Sequence, residues 1–153
     1  MMRIGNLKML LAAVAAAATV TAAGCASGGG EVPAGMVVGG GSSKAVAEDF
    51  LQAANAENYA RMTALFGTEK GSAVKRFGLS DVERRMIVLS ALLKHSAYDL
   101  QPESSRAVKA SQIRYVARLE GTRRGTVDVP IITATDGSRW FVEKLEMEQL
   151  AGG

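Results

Sequence analysis

The spacing of apolar side chains divides the chain after residue 43 into two parts. Up to His95 the apolar positions recur every three or four residues, which is the period of an α-helix that packs one face on a core. After His95 the apolar positions alternate with polar ones, which is the period of an antiparallel strand with one face in water. The pattern therefore predicts helices followed by a sheet.

Three helices are expected in the first part. The first has Ser43 as its N-cap, and an Asn-rich break at residues 55–58 separates it from the second, which Gly67 ends. The third opens with a capping box in which the Ser80 and Glu83 side chains satisfy each other's backbone amides. Its predicted buried stripe consists of Val82, Met86, Ile87, Leu89, Leu92 and Leu93.

Residues 68–79 separate the second and third helices. They contain three basic side chains, Lys70, Lys75 and Arg76, and no regular apolar period. Such a stretch is typical of a loop or a short irregular hairpin. Three scattered cations would each contribute only about 1 kcal/mol at an anionic membrane surface, so we interpret them as solvated.

Alternation predicts four strands in the second part: residues 97–105, 113–120, 127–132 and 140–150. In the last strand, the step from Val142 to Leu145 breaks strict alternation and predicts a β-bulge. Pro130 lacks an N–H group, so its strand is at an edge or bulged there. The predicted fold class is α+β, with three N-terminal helices packed on a curved antiparallel sheet of about four strands.

The first 25 residues have the three parts of an export signal. Arg3 and Lys8 lie in a short basic stretch, an apolar run covers residues 9–20, and small residues lead to the only cysteine, Cys25. The apolar run is shorter than the roughly 20 residues that span a bilayer. We therefore predict a signal peptide over residues 1–24 rather than a retained membrane helix.

The sequence before Cys25 resembles the lipobox of bacterial lipoproteins, although Ala22 stands where the family most often has Leu. The resemblance implies that the Cys25 thiol carries a diacylglyceryl group and that its amine is acylated after cleavage. Because Ala26 is not the Asp that marks retention at the inner membrane, the resemblance also implies the periplasmic face of the outer membrane. The alternative is a plain secretory signal that leaves Cys25 as a free thiol.

Residues 25–43 follow as a Gly- and Ser-rich stretch, which predicts a flexible lipidated tether before one domain over residues 44–150. The full chain has 18 Lys and Arg against 15 Asp and Glu, and loss of residues 1–24 would lower the net charge from +3 to +1. Binding to nucleic acid requires clustered cations that neutralise phosphates. We therefore expect no nucleic-acid partner.

The order of elements resembles the nuclear transport factor 2-like superfamily of cone-shaped domains, and in particular its small lipoprotein members of unknown function. The likeness lies in the opening helical pair AVAEDFLQAANAENYARMTALFG, residues 45–67, and in the closing strand SRWFVEKLEM, residues 138–147. It covers residues 44–150. The resemblance implies a concave sheet and three helices around a pocket that serves catalysis in some members and binding or assembly in others. The hairpin usually found between the second and third helices is expected to be short or missing here.

Four apolar side chains are candidates for lining such a pocket, and they are equally well explained as core residues. They are Met62, Phe66, Tyr115 and Trp140. As a pocket lining they would favour a small apolar ligand.

Candidate catalytic groups are few. His95 and Asp99 lie at the exit of the third helix with Tyr98 between them, but a histidine at a helix end more often caps the final carbonyls. Asp128 lies on the outer strand face, where its simpler role is a cross-strand partner of Arg114 or Arg118. We assign no catalytic residue.

We likewise predict no metal site and no cofactor. One histidine and one cysteine do not make a conventional zinc site. The Gly runs neither follow a strand nor open a helix, so they do not form a phosphate-binding motif.

Three functions remain open. The first is a membrane-tethered binding or accessory module that engages a small apolar molecule or another envelope protein. The second is a small enzyme of isomerase or hydratase type, which requires His95 or Asp99 to face an open cavity. The third is a structural envelope protein that forms a homodimer through its sheet.

Overall fold

The computed structural model describes residues 39–104, 106 and 108–151. Cys25, the predicted signal peptide and most of the predicted tether lie outside these residues. Within the described residues there are five helices, α1 Ser43–Asn55, α2 Tyr59–Leu65, α3 Ala73–Phe77, α4 Leu79–Leu92 and α5 Glu148–Ala151. The strands are β1 Gly67–Thr68, β2 Gly71–Ser72, β3 Ala97–Pro102, β4 Gln112–Thr122, β5 Gly125–Thr135 and β6 Trp140–Leu145. The fold class is α+β, as predicted.

The N-cap of helix α1 lies one residue before the predicted one. Ser42, not Ser43, is the N-cap, and its hydroxyl accepts a hydrogen bond from the Ala45 amide at 3.2 Å. The Ser43 hydroxyl is buried and lies 2.6 Å from Thr133 Oγ1, which itself donates to the Ile113 carbonyl. Because the Thr133 proton is used in that second bond, Ser43 is the donor, and the pair fastens α1 to the sheet.

The Asn-rich break between α1 and α2 is confirmed. Asn58 caps α2 by accepting from the Arg61 amide at 3.0 Å. Glu57 has a φ of 56°, a left-handed conformation that reverses the chain between the two helices. Phe66, which we expected in α2, instead follows the helix in an extended conformation and forms a parallel bridge to Val142.

The segment between α2 and α4 holds the short hairpin β1–β2 and then α3, a helix that the sequence did not indicate. The predicted capping box at Ser80 is wrong. Helix α4 begins at Leu79, so Ser80 lies inside the helix, and the N-cap is Gly78, which has no side chain to accept a capping hydrogen bond. Gly78 has a φ of 83° and separates α3 from α4. The predicted burial of Ile87 is also wrong, since its side chain is 47% exposed.

The four long strands form one antiparallel sheet in the order β3-β4-β5-β6. Its inner face carries Tyr115, Ala117 and Leu119 of β4 against Val129 and Ile131 of β5, and all five side chains are buried. Helix α1 packs on this face at β5 and β6, and α2 and α4 pack on α1. The helices therefore cover one face of the sheet and leave the other to water.

The irregularities of β5 and β6 lie close to the predicted places. The register between these strands shifts at Ile132 and Thr133, opposite Val142 and Lys144, which confirms the bulge in β6. Strand β5 is an inner strand, so an edge position for Pro130 is wrong. The last β5–β6 pair is Ile131 with Leu145, and beyond it the Pro130 carbonyl accepts from the Glu146 amide at 2.9 Å, so the missing N–H lies at the end of the β5–β6 pairing. Strand β6 ends at Leu145, and the rest of the predicted strand turns into α5.

The end of the predicted tether belongs to the fold. The Gly39 amide donates to the Ala64 carbonyl at 2.8 Å, and Gly40 exchanges two backbone hydrogen bonds with Trp140. A Cβ atom on Gly39 would lie 2.9 Å from Cε1 of Phe141. These glycines therefore serve close packing against β6, and the ordered domain extends at least to residue 39 rather than beginning at Lys44.

Candidate functional site

The four candidates for a pocket lining lie in the core between helices and sheet or pack against it. Of the four candidates for a pocket lining, Met62 is fully buried and Tyr115 is 6% exposed, and both belong to the main core cluster. Phe66 and Trp140 are partly buried and pack against that cluster. Phe66 also contacts the ring of Phe50, with ring centroids 6.3 Å apart. The core interpretation of these residues therefore fits their burial.

An open cleft lies elsewhere, between the C-terminal end of α1 and the start of β3. Its volume is about 490 Å³. The lining residues are Gln52, Asn55, Ala56, His95, Ser96, Ala97 and Tyr98. None of these side chains carries a fixed charge, and the alanines and the two rings supply its apolar surface. The cleft therefore suits a neutral molecule of modest size.

The end of α1 and the exit of α4 are joined by three hydrogen bonds that shape this cleft. The Asn55 side chain accepts from the His95 amide at 3.1 Å, and Lys94 Nζ donates to the Asn55 carbonyl at 2.8 Å. One turn earlier, the buried Ser90 hydroxyl donates to the Ala54 carbonyl at 2.7 Å. The Asn55 carbonyl lies in the last turn of α1, where carbonyls lack a partner within the helix, and the three bonds together hold this wall of the cleft in place.

His95 is oriented so that one ring nitrogen is available to a ligand. Its Nδ1 lies 2.6 Å from the Leu93 carbonyl oxygen. Because a carbonyl only accepts, Nδ1 carries the proton, and Nε2 of the neutral ring is left as an acceptor. Nε2 has no protein partner among the described residues. The one described side-chain polar atom that is both sealed from solvent and unpaired is Thr63 Oγ1, so Nε2 retains access to water.

Tyr98 forms the other side of the cleft. Its ring meets that of His95 edge to face, with centroids 5.6 Å apart and an interplanar angle of 88°. Its hydroxyl accepts from Nε2 of Gln52 at 3.1 Å, which leaves the phenolic proton free to be donated. The cleft therefore offers one acceptor on His95 and one donor on Tyr98.

Asp99 does not join this site. It is exposed, and both of its carboxylate oxygens accept from Nε2 of Gln101 at 3.0 and 3.1 Å. In the register of the sheet it lies beside Arg118. The expected His95–Asp99 pair is therefore not assembled, and His95 alone faces the cleft.

The outer face of the sheet carries a separate charged cluster around Arg114, whose side chain is 4% exposed. Its guanidinium donates to Glu103 at 2.6 Å and to both carboxylate oxygens of Glu146 at 2.9 and 2.8 Å. Hydrogen bonds from Arg114 lower the pKa of Glu146 to about 2 and raise the pKa of Arg114 itself. Because the cluster satisfies its own charges, we interpret it as structural.

In this cluster Arg114, one of the two predicted partners of Asp128, is bound by other carboxylates. The carboxylates that bind Arg114 are Glu103, directly after β3, and Glu146, directly after β6, and not Asp128. Asp128 stands opposite Arg118 in the register, on the exposed outer face. Neither residue lies near the cleft.

The sequence pointed to His95 and Tyr98 but not to Gln52, Asn55 or Ser96. Asn55 stands in the Asn-rich break, which indicated the end of a helix and nothing about what that end faces. Gln52 is one of several polar side chains on the exposed side of α1. Only the approach of β3 to α1 makes these residues neighbours.

Within residues 39–104, 106 and 108–151, no group of three or more His, Cys, Asp or Glu side chains is placed to hold a metal ion. In the same residues no helix is long and apolar enough to cross a membrane. Comparison with known protein families, curated proteins and solved structures finds no match to this chain.

Proposed function

We propose that this protein is a membrane-anchored binding module of the bacterial cell envelope, held by a lipid on Cys25, that binds a small neutral molecule in the cleft at His95 and Tyr98. The observation that carries the proposal is the uncharged cleft of about 490 Å³, whose lining includes an acceptor on His95, a donor on Tyr98 and the apolar surface of two alanines. A ligand with one hydroxyl or amide group and a flat apolar body matches these features.

The proposed lipid anchor is supported by the lipobox-like sequence before Cys25. The proposed location at the outer membrane is supported by Ala26, which stands where Asp would mark retention at the inner membrane. A nuclear transport factor 2-like origin of the domain is supported by the order of helices and strands and by the bulge in β6. The four side chains that were candidates for an interior pocket belong to the core or pack against it. We therefore propose the surface cleft, and not the interior of a cone, as the ligand site.

Phenol is a suitable first probe of the cleft, because its hydroxyl can donate to His95 Nε2 while its ring lies on the alanines. Benzoate is the matched charged probe, and it should bind more weakly because no lining side chain compensates a carboxylate. Saturable shifts of the His95 and Tyr98 ring resonances on addition of phenol, with smaller shifts for benzoate, are the expected result. Absence of any shift at these rings would refute the cleft as a binding site.

His95→Asn is the sharpest variant, because the Asn amide can still donate to the Leu93 carbonyl while the Nε2 acceptor is lost. We expect an unchanged fold and at least a tenfold weaker response to phenol, about the value of one hydrogen bond. The control is Gln101→Asn, a polar change on the same strand as Tyr98 but outside the cleft. Equal binding by His95→Asn and the wild-type chain would contradict the proposed role of Nε2.

The anchor is tested independently by Cys25→Ser. This variant should lose fatty-acid labelling and remain uncleaved at residue 24, while the domain still folds. Wild-type protein recovered from the soluble periplasm with a free Cys25 thiol would overturn the lipid anchor without affecting the cleft.

The enzyme of isomerase or hydratase type is the weaker proposal. His95 lines the cleft, which is the condition that this function sets, but Asp99 is exposed and bonded to Gln101, so the two candidate groups are not brought together there.

A further inference from the structure

Exposed apolar side chains are concentrated at the corner between α3 and α4. Of the large apolar side chains that are well exposed in the described residues, four lie within residues 77–88. They are Phe77 at 39%, Leu79 at 56%, Ile87 at 47% and Val88 at 60% exposure. Together with the cations Lys75, Arg76, Arg84 and Arg85 they form what we call the α3–α4 surface. Apolar clusters of this kind on a soluble domain usually mark a contact.

The cations of this surface stand close to its apolar side chains. The guanidinium carbons of Arg76 and Arg85 lie 5.2 and 5.1 Å from the centre of the Phe77 ring. The ring therefore makes cation–π contacts with one arginine of α3 and one of α4. Arg84 precedes Ile87 and Val88 by three and four residues, which puts all three on one side of α4. On both helices, therefore, exposed apolar side chains have cations as neighbours.

Its positive charge is only partly compensated. Arg84 pairs with Asp81 at 2.7 Å. Lys75, Arg76 and Arg85 have no carboxylate partner within the part of the chain that the structure describes. This surface therefore attracts anions while offering apolar side chains beside them.

We propose that the α3–α4 surface rests on the anionic phospholipid headgroups of the membrane that anchors the protein. Arginine and lysine side chains bind headgroup phosphates while neighbouring apolar side chains enter the interface. Lysine is depleted at the centre of a protein–protein interface, whereas arginine and aromatic side chains are common there, so composition alone does not identify the occupant. The uncompensated positive charge of Lys75, Arg76 and Arg85, on a domain that the proposed anchor holds at a membrane, favours anionic lipid.

Because the lipid at Cys25 would hold the domain near the membrane, even a weak contact between the α3–α4 surface and the headgroups would keep this surface docked. This inference rests on the proposed lipid at Cys25, from which residues 26–38 lead to the first described residue. Thirteen residues span at most about 45 Å even when fully extended. The domain is therefore confined near the membrane, and the high local concentration of headgroups replaces much of the affinity that a free protein would need.

The test uses the full chain in vesicles, with an environment-sensitive dye on Val88→Cys, while the lipid on Cys25 keeps that thiol from reacting. We expect a blue-shifted dye emission in vesicles containing phosphatidylglycerol, an emission typical of water in pure phosphatidylcholine, and reversal by high salt. A second reporter, Lys144→Cys, lies on the outer face of the sheet, away from the helices. It should show an emission typical of water in both vesicles.

The charge variant is Arg76→Gln with Arg85→Gln. Each basic residue near an anionic surface strengthens binding about fivefold, so the ratio of docked to free domain should fall about 25-fold. The matched control is Arg123→Gln with Arg124→Gln, two exposed arginines in the β4–β5 turn, which should leave the emission of the Val88 reporter unchanged.

Three results would overturn the proposal. One is an emission typical of water at Val88 in anionic vesicles while the chain remains bound to them. Another is an equal blue shift in pure phosphatidylcholine. The third is a blue shift that depends on protein concentration in the absence of vesicles, which would assign the surface to a second copy of the chain. Loss of the anchor itself would be recognised separately, by the absence of fatty-acid label on Cys25.

Discussion

Arg114 and Glu146 form a bidentate ion pair on the outer face of the sheet, with Nη1–Oε1 and Nη2–Oε2 distances of 2.9 and 2.8 Å. The Arg114 side chain is 4% exposed and that of Glu146 18% exposed, so both charges have lost most of their water. Such a pair stabilises the folded state little more than two apolar side chains in its place would. Removal of one partner, however, is strongly destabilising, because it leaves the other charge poorly solvated. The pair therefore makes the sheet sensitive to single changes at either residue.

Arg114→Leu should lower the free energy of unfolding by about 3 kcal/mol, because Glu103 and Glu146 lose their common partner. Equilibrium unfolding in urea measures the change. The control is Arg118→Leu, an exposed arginine on the same face of β4, which should change stability by less than about 0.5 kcal/mol. Equal losses in the two variants would show that the Arg114 cluster has no special role.

Acid should weaken the fold through Glu146. Arg114 lowers the pKa of Glu146 from its ordinary value of 4.5 to about 2, so the folded state holds the charged form more strongly than the unfolded state does. This contribution is fully present above about pH 4.5 and is lost as the pH falls towards 2, amounting to about 2–3 kcal/mol. Urea midpoints measured across this range should fall with pH, and Glu146→Gln should flatten the decline. Glu120→Gln, at an exposed carboxylate on β4, should leave the decline unchanged.

Gly39→Ala should destabilise the protein by about 1–3 kcal/mol. Gly39 has a φ of 88°, and an added Cβ would lie 2.6 Å from the Trp140 carbonyl oxygen. Gly41→Ala is the matched control two residues later, since nothing lies within 4 Å of its added Cβ. Thermal unfolding compares the two. If both variants have the melting temperature of the wild-type chain, residues 39–41 are a tether after all.

Two neighbouring residues of α4 should respond in opposite ways. Met86 is fully buried, so Met86→Ala should cost about 2–5 kcal/mol of stability. Ile87 is 47% exposed, and Ile87→Ala should stay within about 0.5 kcal/mol because alanine also favours the helix. Urea unfolding of both variants checks which face of α4 is packed. A large loss at Ile87 would contradict its exposure.

The candidate site shows where reasoning from sequence stopped. His95 was recognisable as a polar residue at a helix exit, because the break in helical period marks that exit locally. Its tautomer depends on the Leu93 carbonyl, and its neighbours Gln52 and Asn55 come from a helix about 40 residues earlier. Contacts over such separations leave no periodic trace in the sequence.

What the sequence by itself determined is the class of fold. Period 3.6 before His95 and period 2 after it specify which faces are apolar, and burial of those faces yields helices on one side of an antiparallel sheet. The Asn-rich break and the β6 bulge were also local signals. Tertiary structure alone decided that Gly39 and Gly40 pack against Trp140, that Arg114 pairs with Glu146 rather than Asp128, and that Ile87 faces water. The physical reason is that packing and charge pairing depend on which distant surfaces meet, whereas periodicity reports only the side of an element on which a residue lies.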